Sequence, residues 1–339
     1  MIRSGGKNTV LEIKNLSVSF HSGPESVTVV NQLSLSIERG QSIGLVGESG
    51  SGKSVTALSI MRLLDNAPSH SATGVIEFTD TEGQTTDLRA IPEKEVRFFR
   101  GSRIGMVFQE PMTSLNPVFR CGHQILEAVR RHHPELSAAT AKARVMELLE
   151  QVKLPDPERA YVAWPHQLSG GQKQRIMIAM AISCNPDLLI ADEPTTALDV
   201  TVQQDILHLL KHLQRTRGMS LLFISHDLGV ISKVADQVAV MYRGRLVEVQ
   251  PTPNLFATPS HPYTRGLLAC RPPLQRSLSR LPVVDDFLSA QNPSQSVEQR
   301  LADLSLPKEA MRNRRQRIYD SSPLIQVHNL NTWFATKSN

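Results

Sequence analysis

Residues Gly47 to Ser54 read GESGSGKS and match the phosphate-binding pattern G-x-x-x-x-G-K-[ST]. An apolar run, SIGLV, precedes them and a helical pattern, VTALSIMRLL, follows, which is the context that this pattern requires. Glycines let backbone N–H groups turn inward around phosphate oxygens, at a helix N-terminus whose dipole favours negative charge. The predicted phosphate-binding residues are Gly47, Glu48, Ser49, Gly50, Ser51, Gly52, Lys53, Ser54 and Val55.

Two side chains of this loop are predicted to act on the phosphates directly. Lys53 is placed to neutralise the β- and γ-phosphates of a nucleotide, and the Ser54 hydroxyl is placed to bind Mg²⁺. The alternative, a flexible glycine loop without a ligand, is disfavoured by the strand before the loop and the helix after it.

A further apolar run, LLIAD, ends in two carboxylates, Asp192 and Glu193. At a strand end that points toward the phosphate loop, Asp192 can hold the magnesium shell, while Glu193 can orient and deprotonate an attacking water. Buried strands often end in a carboxylate, so this motif is weak alone and gains its weight from the phosphate loop.

Two other polar residues directly follow β-like runs. Gln109 follows IGMVF and His226 follows LLFIS, so each is placed to reach the γ-phosphate side of the same sheet edge. A single histidine is more often an ordinary surface or packed residue. A functional role for His226 is favoured only because the other motifs are present. The candidate catalytic residues are Lys53, Gln109, Glu193 and His226, and the candidate metal ligands are Ser54, Gln109 and Asp192.

The chain carries a second glycine-rich turn, LSGGQ, at Leu168 to Gln172. The first loop already provides a phosphate site. The second turn therefore raises the question of which phosphate it would hold.

The residues between the motifs predict the elements that position them. Short apolar runs beside turn residues alternate with longer helical patterns, which indicates a mostly parallel α/β sheet. Between Val118 and Trp164 apolar residues recur at helical spacing instead, and we predict an inserted helical subdomain at about residues 110–170. Residues 251–322 contain prolines and show little periodicity, which predicts a C-terminal extension or linker.

The composition of the chain limits the classes of protein to which it can belong. The 339 residues are 40% hydrophobic and 20% charged, as expected of a soluble chain with one sizeable core. The apolar run from Ile176 to Ile182 is far shorter than the roughly 18 residues of a membrane span, and the N-terminus lacks a secretory signal, so we expect a cytoplasmic chain. The net charge of +5 is small for this length. Its densest patch, residues 308–317, is interpreted as a solvated helix face or linker, with acidic lipid or nucleic acid as alternatives.

The last residues resemble the first. Ile325 to Phe334, IQVHNLNTWF, aligns without a gap to Leu11 to Phe20, LEIKNLSVSF. An ordinary amphipathic edge strand would look similar, but the repeat favours the start of a second, truncated domain at residues 323–339.

The ordered set of GESGSGKS, Gln109, LSGGQ, LLIADEP, the ALD of Ala197 to Asp199 and His226 resembles the ATP-binding cassette (ABC) ATPases. The resemblance covers Val10 to Gln250. It implies an α/β fold with a P-loop NTPase (RecA-like) core, an N-terminal antiparallel β subdomain and an inserted α-helical subdomain, within a nucleotide-binding domain at residues 8–250. It also implies ATP and Mg²⁺ as cofactors.

The same resemblance assigns the second glycine turn. In the family this turn grips the γ-phosphate of an ATP that is bound to the phosphate loop of another cassette, so hydrolysis requires two cassettes head to tail. Phe20 would stack on adenine, although an edge-strand phenylalanine packed into the core is the alternative. The residues implied to act on the partner's ATP are Ser169, Gly170, Gly171, Gln172 and Asp199.

Two stretches, FQEPMTSLNPVF and HPYTRGLLAC, look like the dipeptide, oligopeptide and nickel importer branch of that family. The branch implies an ATPase subunit that energises import of peptides or a related small solute such as nickel or glutathione, with ATP-driven dimerisation. The implied partners are a second ABC ATPase domain, homologous or fused, two transmembrane permease subunits and, indirectly, an extracytoplasmic solute-binding protein, with no nucleic acid. The implied location is peripheral, at the cytoplasmic face of the bacterial inner membrane.

The competing hypothesis is a soluble tandem-cassette ABC ATPase that acts on the ribosome or nucleic acid. It is disfavoured because the span from Gln109 to His226 has no long heptad run, and because residues 251–307 are broken by prolines and only mildly charged. A binding module that has lost hydrolysis is disfavoured because Lys53, Asp192, Glu193 and His226 are all present.

Overall fold

The computed structural model describes residues 8–23, 25–65, 69–109, 114–270, 278–288 and 297–333. The chain divides into two compact units, Met1–Thr264 and Arg265–Asn339. All strands of the described residues belong to the first unit. They are β1 (Thr9–Ser22), β2 (Glu25–Glu38), β3 (Ser42–Val46), β4 (His70–Thr79), β5 (Thr85–Asp87), β6 (Ile104–Val107), β7 (Leu188–Asp192), β8 (Ser220–Ser225), β9 (Gln237–Tyr242) and β10 (Arg245–Pro251).

The strands form two sheets. The first is antiparallel, with the order β2-β1-β4-β5, and the second has the order β10-β9-β3-β8-β7-β6. In the second sheet every pairing is parallel except that of β10 with β9. The carboxyl ends of β3, β6, β7 and β8 therefore meet at one edge, which is where ligands bind in such sheets.

The helices connect the strands and follow them. The first unit contains α1 (Lys53–Ile60), α2 (Glu93–Ser102), α3 (Cys121–His132), α4 (Ala138–Gln151), α5 (Pro157–Val162), a 3₁₀ turn (Pro165–Gln167), α6 (Gly170–Ala181), α7 (Val200–Arg217), α8 (Leu228–Val234) and α9 (Thr252–Ala257). The helix α10 (Pro262–Ala269) begins in the first unit, and the second unit contains α11 (Asp285–Leu288), α12 (Val297–Asp303) and α13 (Lys308–Asp320).

The central strands are the apolar runs of the sequence. All residues of β3, β7 and β8 are buried, as expected of parallel strands covered on both faces. A single hydrophobic cluster joins side chains of both sheets to α1, including Leu45, Ala57 and Phe78. The sheet edge that carries the candidate residues is thus supported by a packed core, and the predicted fold class is confirmed.

The described residues between β6 and β7 form helices joined by turns, with no strand among them. In α4 the buried residues Ala141, Val145, Leu148 and Leu149 recur at the spacing of one helix face, and the Ser137 side chain caps its N-terminus by accepting from the Thr140 N–H. The predicted insertion at about 110–170 begins on residues 110–113, which lie outside the described residues.

The regular elements among the described residues of the second unit are helices, with one isolated β-bridge between Leu278 and Ser305. Phe287 is its buried aromatic side chain, and residues 321–333 have no regular secondary structure and are exposed. The start of a second cassette at 323–339 stays a prediction, and residues 334–339 lie outside the described part of the chain.

Across the described residues, no helix combines the length and the apolar character that crossing a bilayer demands.

Candidate active site

The phosphate loop joins the end of β3 to the start of α1. Gly52 caps α1 with a φ of 101°, a left-handed conformation that side chains other than glycine rarely adopt. A Cβ atom at Gly52 would lie 2.7 Å from the Val29 carbonyl oxygen. The loop is therefore held against β2, and position 52 has no space for a side chain.

Lys53 is only 4% exposed, and its ammonium group folds back onto the loop. The Nζ atom donates to the carbonyl oxygens of Gly47 at 2.9 Å and Glu48 at 2.8 Å. Burial lowers the pKa of Lys53, and the negative charges of Glu193 and Asp192 oppose that shift. A cation is thus positioned beside the loop by weak carbonyl acceptors, which an anion can replace.

The loop offers hydrogen-bond donors that suit a phosphate. The Ser51 hydroxyl is buried and has no hydrogen-bond partner among the described residues. The first backbone N–H groups of α1 have no acceptor within the helix, as at every helix start. These donors point to an anion at the N-terminus of α1, which is what the sequence pattern predicts.

Asp192 lies at the end of β7 next to the start of α1. It is 4% exposed, and its Oδ1 accepts a hydrogen bond of 3.1 Å from the Ser54 hydroxyl. Burial raises the pKa of Asp192, while the Ser54 hydrogen bond acts in the opposite direction. No group of three or more His, Cys, Asp or Glu side chains in the described ranges could hold a metal. One hydroxyl and one carboxylate fit Mg²⁺, which typically takes few protein ligands and completes its shell with phosphates and water.

The candidate side chains Gln109 and His226 both contact the carboxylate of Glu193. Its Oε2 atom accepts from Thr196 Oγ1 at 2.9 Å and from Gln109 Nε2 at 3.4 Å, and it lies 3.2 Å from His226 Nδ1. Its φ is 45°, in a left-handed region that non-glycine residues rarely adopt outside strained or functional positions. Its backbone N–H donates to the Ile224 carbonyl of β8. The structure thus brings residues from the ends of three neighbouring strands to one carboxylate oxygen.

Thr196 is the member of this group that sequence reasoning missed. It follows Glu193 by three residues in the turn after β7, and a hydroxyl at that spacing can bond back to an acidic side chain. This three-residue spacing is the sequence feature from which the contact could have been predicted. Gln109 and His226 are exposed, whereas Glu193 is only partly exposed, so the two exposed polar groups lie on the solvent side of the carboxylate.

The second glycine turn begins α6. Ser169 is the N-cap: its hydroxyl accepts from the Gln172 N–H at 3.3 Å, while the Gln172 side chain accepts from the Ser169 N–H at 3.0 Å. Ser169 and Gly170 are exposed, and Gly171 and Gln172 are partly exposed. Asp199, also exposed, caps α7 by accepting from the N–H groups of Thr201 and Val202. None of the described contacts of these residues reaches the phosphate loop.

Phe20 lies in β1 and is partly buried against the hydrophobic core. Its ring centroid is 5.9 Å from that of His70, and the two rings are tilted by 54°. Core packing, the alternative weighed for this residue, therefore accounts for part of its surface. Stacking on adenine stays a prediction.

A family profile described as ABC transporter matches residues 30–196. The chain is 48% identical over 268 residues to the oligopeptide transport ATP-binding protein OppD of Bacillus subtilis, a match that covers 79% of this chain and 73% of the relative. The chain belongs to the ABC transporter family. This assignment confirms the resemblance to ABC ATPases and agrees with the ordered motifs around the phosphate loop.

Two further comparisons place this ABC ATPase among its relatives. It is 44% identical over 334 residues to the glutathione import ATP-binding protein GsiA of Pectobacterium atrosepticum, across 97% of this chain and 51% of the relative. The chain thus spans about half the length of that relative. Among solved structures, a dimeric ATP-binding cassette in a post-hydrolysis state with ADP and Pi is 27% identical, with a TM-score of 0.62 over 71% of this chain and 98% of that one.

Proposed function

We propose that this chain hydrolyses ATP to energise the import of peptides or a related small solute, such as glutathione or nickel, through a membrane ABC transporter. The observation that carries the proposal is the convergence of Gln109, Thr196 and His226 on one oxygen of Glu193, beside the buried pair of Lys53 and Asp192. Binding alone would not require a carboxylate held in this way.

The residues have separate roles in this proposal. Lys53 releases the loop carbonyls and pairs with the β- and γ-phosphates of ATP, while the loop N–H groups and Ser51 donate to phosphate oxygens. Glu193 orients and deprotonates the attacking water, and Gln109 and His226 contact the γ-phosphate side.

Ser54 and Asp192 would hold Mg²⁺, with Gln109 as a further ligand. When bound there, the ion would supply positive charge that stabilises the transferring phosphoryl group. The Ser54 hydroxyl and the Asp192 carboxylate already lie within hydrogen-bond distance of each other, so both oxygens face one point. Phe20 is proposed to contact adenine.

The second glycine turn is proposed to act on a different nucleotide. Ser169, Gly170, Gly171, Gln172 and Asp199 are exposed or partly exposed and lack described contacts to the loop of their own chain. We therefore assign them to the ATP of a second cassette, either another copy or a fused second half. The alignment of residues 325–334 with residues 11–20 supports the fused arrangement.

The membrane partners are proposed from the relatives. One relative is named for oligopeptide transport and another for glutathione import. We propose two transmembrane permease subunits and an extracytoplasmic solute-binding protein as partners, at the cytoplasmic face of the bacterial inner membrane, with residues 251–322 as an extension of the cassette.

The test is uptake in cells whose own gene carries Glu193→Gln, compared with the parent strain and with a conservative surface control, Glu298→Gln. The proposal expects loss of uptake of labelled dipeptides, oligopeptides, glutathione or nickel in the Glu193→Gln strain only. Unchanged uptake of all these solutes together with altered ribosome profiles would favour the soluble alternative and refute the importer assignment.

A further inference from the structure

A tyrosine outside the motif set touches the phosphate loop. Tyr263, in the first turn of α10, is fully buried, and its hydroxyl oxygen accepts a hydrogen bond of 2.9 Å from the backbone N–H of Glu48. Its ring lies against that of Tyr242 at the end of β9, with centroids 4.2 Å apart. A side chain that follows the last strand by more than ten residues thus reaches the second residue of the loop.

The segment that carries Tyr263 is anchored to the sheet. The carboxylate of Glu248, a buried residue of β10, accepts from the backbone N–H groups of Ser260 at 2.7 Å and His261 at 3.0 Å. His261 Nδ1 in turn accepts from the Tyr263 N–H at 3.1 Å. The hydroxyl is therefore presented to the loop by a hydrogen-bonded support and not by a free chain.

The peptide groups of Glu48 are held from two sides. Tyr263 accepts from its N–H, whereas its carbonyl oxygen accepts from Lys53 Nζ at 2.8 Å and from the Ser51 N–H at 3.2 Å. In the proposed function Lys53 turns from that carbonyl to the phosphates. After this exchange the Tyr263 contact is the side-chain hydrogen bond that still fixes Glu48.

We infer that Tyr263 is a positioning residue of the phosphate loop, which keeps the loop in its nucleotide-accepting shape when Lys53 turns to the phosphates. The inference rests on the proposed function of the loop in ATP binding. It predicts that the segment from Ser260 to Tyr263 contributes to nucleotide affinity without touching the nucleotide.

The chemistry of the phenol fits this role. Burial raises the pKa of Tyr263 to about 12, so the hydroxyl stays neutral at physiological pH and can accept from an N–H group. A phenylalanine at this position keeps the ring against Tyr242 and removes only the oxygen.

The test compares the full chain with Tyr263→Phe and with Tyr242→Phe as a matched control. Tyr242 belongs to the same ring pair, but no hydrogen bond of its hydroxyl occurs among the described residues. Amide hydrogen exchange is measured on fragments that cover residues 45–52, along with ATP and ADP affinities by calorimetry and the steady-state KM and kcat for ATP.

Tyr263→Phe is expected to accelerate exchange at Glu48 and to weaken ATP and ADP binding by about three- to tenfold, the size of one neutral hydrogen bond. The KM for ATP rises accordingly while kcat stays within about twofold, because the lost contact serves ground and transition states alike. Tyr242→Phe is expected to change none of these quantities.

Two results would overturn the inference. The first is unchanged exchange at Glu48 and unchanged affinity in Tyr263→Phe. The second is faster exchange throughout the first unit, which would show a general structural role. If the parent chain binds no ATP, the proposed function fails, but the exchange comparison at Glu48 still decides whether Tyr263 positions the loop.

Discussion

The two glycine-rich turns of this chain each lead into a helix, but the residues packed around them differ. The phosphate loop is built into the sheet: Lys53 is 4% exposed, and Gly52 touches the Val29 carbonyl so closely that a Cβ atom has no room. The LSGGQ turn has an exposed glycine, Gly170, where an added Cβ atom would meet Leu198 at 3.5 Å, an ordinary contact distance. Both turns end in a helix N-terminus that can receive an anion.

The side chains around the two turns differ as well. Around the phosphate loop the same chain provides a buried lysine, two carboxylates and a hydroxyl. Around the LSGGQ turn the Ser169 and Gln172 side chains bond to each other's backbone, and the helix end is left open to solvent. The phosphate loop is fixed by the fold, and the exposed LSGGQ turn agrees with the proposal that it acts on the nucleotide of a second cassette.

The largest expected effect is that of Lys53→Met. Removing the ammonium group takes away a charge-assisted contact to two phosphates, and ATP affinity should fall about a hundredfold or more. Calorimetric titration with ATP measures it, with Lys211→Met on α7 as the control. An affinity within threefold of the parent would show that the buried lysine does not meet the phosphates.

The next largest effect is expected from alanine substitutions at one glycine of each turn, which compare how closely the two turns are packed. Gly52→Ala places a Cβ in a left-handed conformation against a backbone carbonyl, which should cost about 1–3 kcal/mol of unfolding free energy. Gly170→Ala meets only ordinary contact and should change stability by less than about 0.5 kcal/mol. Urea unfolding measures the unfolding free energy of both variants. Equal losses of unfolding free energy would contradict the claim that the two glycines differ in their surroundings.

Ser169→Ala should have a smaller effect on the fold and a selective one on activity. Loss of the N-cap hydroxyl costs about 1 kcal/mol locally. ATP binding to the chain's own loop should be unchanged, whereas hydrolysis at high chain concentration should fall. Calorimetry and phosphate release measure the two effects. Weaker ATP binding in this variant would place the turn at its own chain's nucleotide.

Asp192→Asn should raise the thermal midpoint of the nucleotide-free chain slightly while removing Mg²⁺-dependent ATP binding. The folded-state pKa of Asp192 is raised, mainly by burial, so ionisation of this carboxylate disfavours the folded state. The penalty is absent below the ordinary pKa of about 3.8 and grows as the pH rises through the raised folded value. The gain in midpoint should therefore be larger at pH 7 than at pH 4.5, and a gain independent of pH would argue against a buried carboxylate.

The sequence predicted the parts of the site that depend on local patterns. One edge of the sheet is predicted to carry the site, because candidate residues follow several strands at that edge. They are GESGSGKS after its strand, the acids after LLIA and the polar residues after two other strands. Thr196 and Tyr263 were missed because their contacts depend on turn geometry and on a long-range approach. No spacing rule predicts that α10 returns to the loop.

The most direct test of the account is the solution mass of the Glu193→Gln chain with and without Mg-ATP. This change should block hydrolysis and leave the ATP-bound, head-to-tail pair stable, so we predict a larger mass only with ATP. A second copy or a separately supplied second cassette can provide the missing LSGGQ turn, and Ser169→Arg in this chain should prevent two copies from associating. A mass that stays monomeric with ATP bound and both partners present would contradict the claim that the second turn completes another cassette's site.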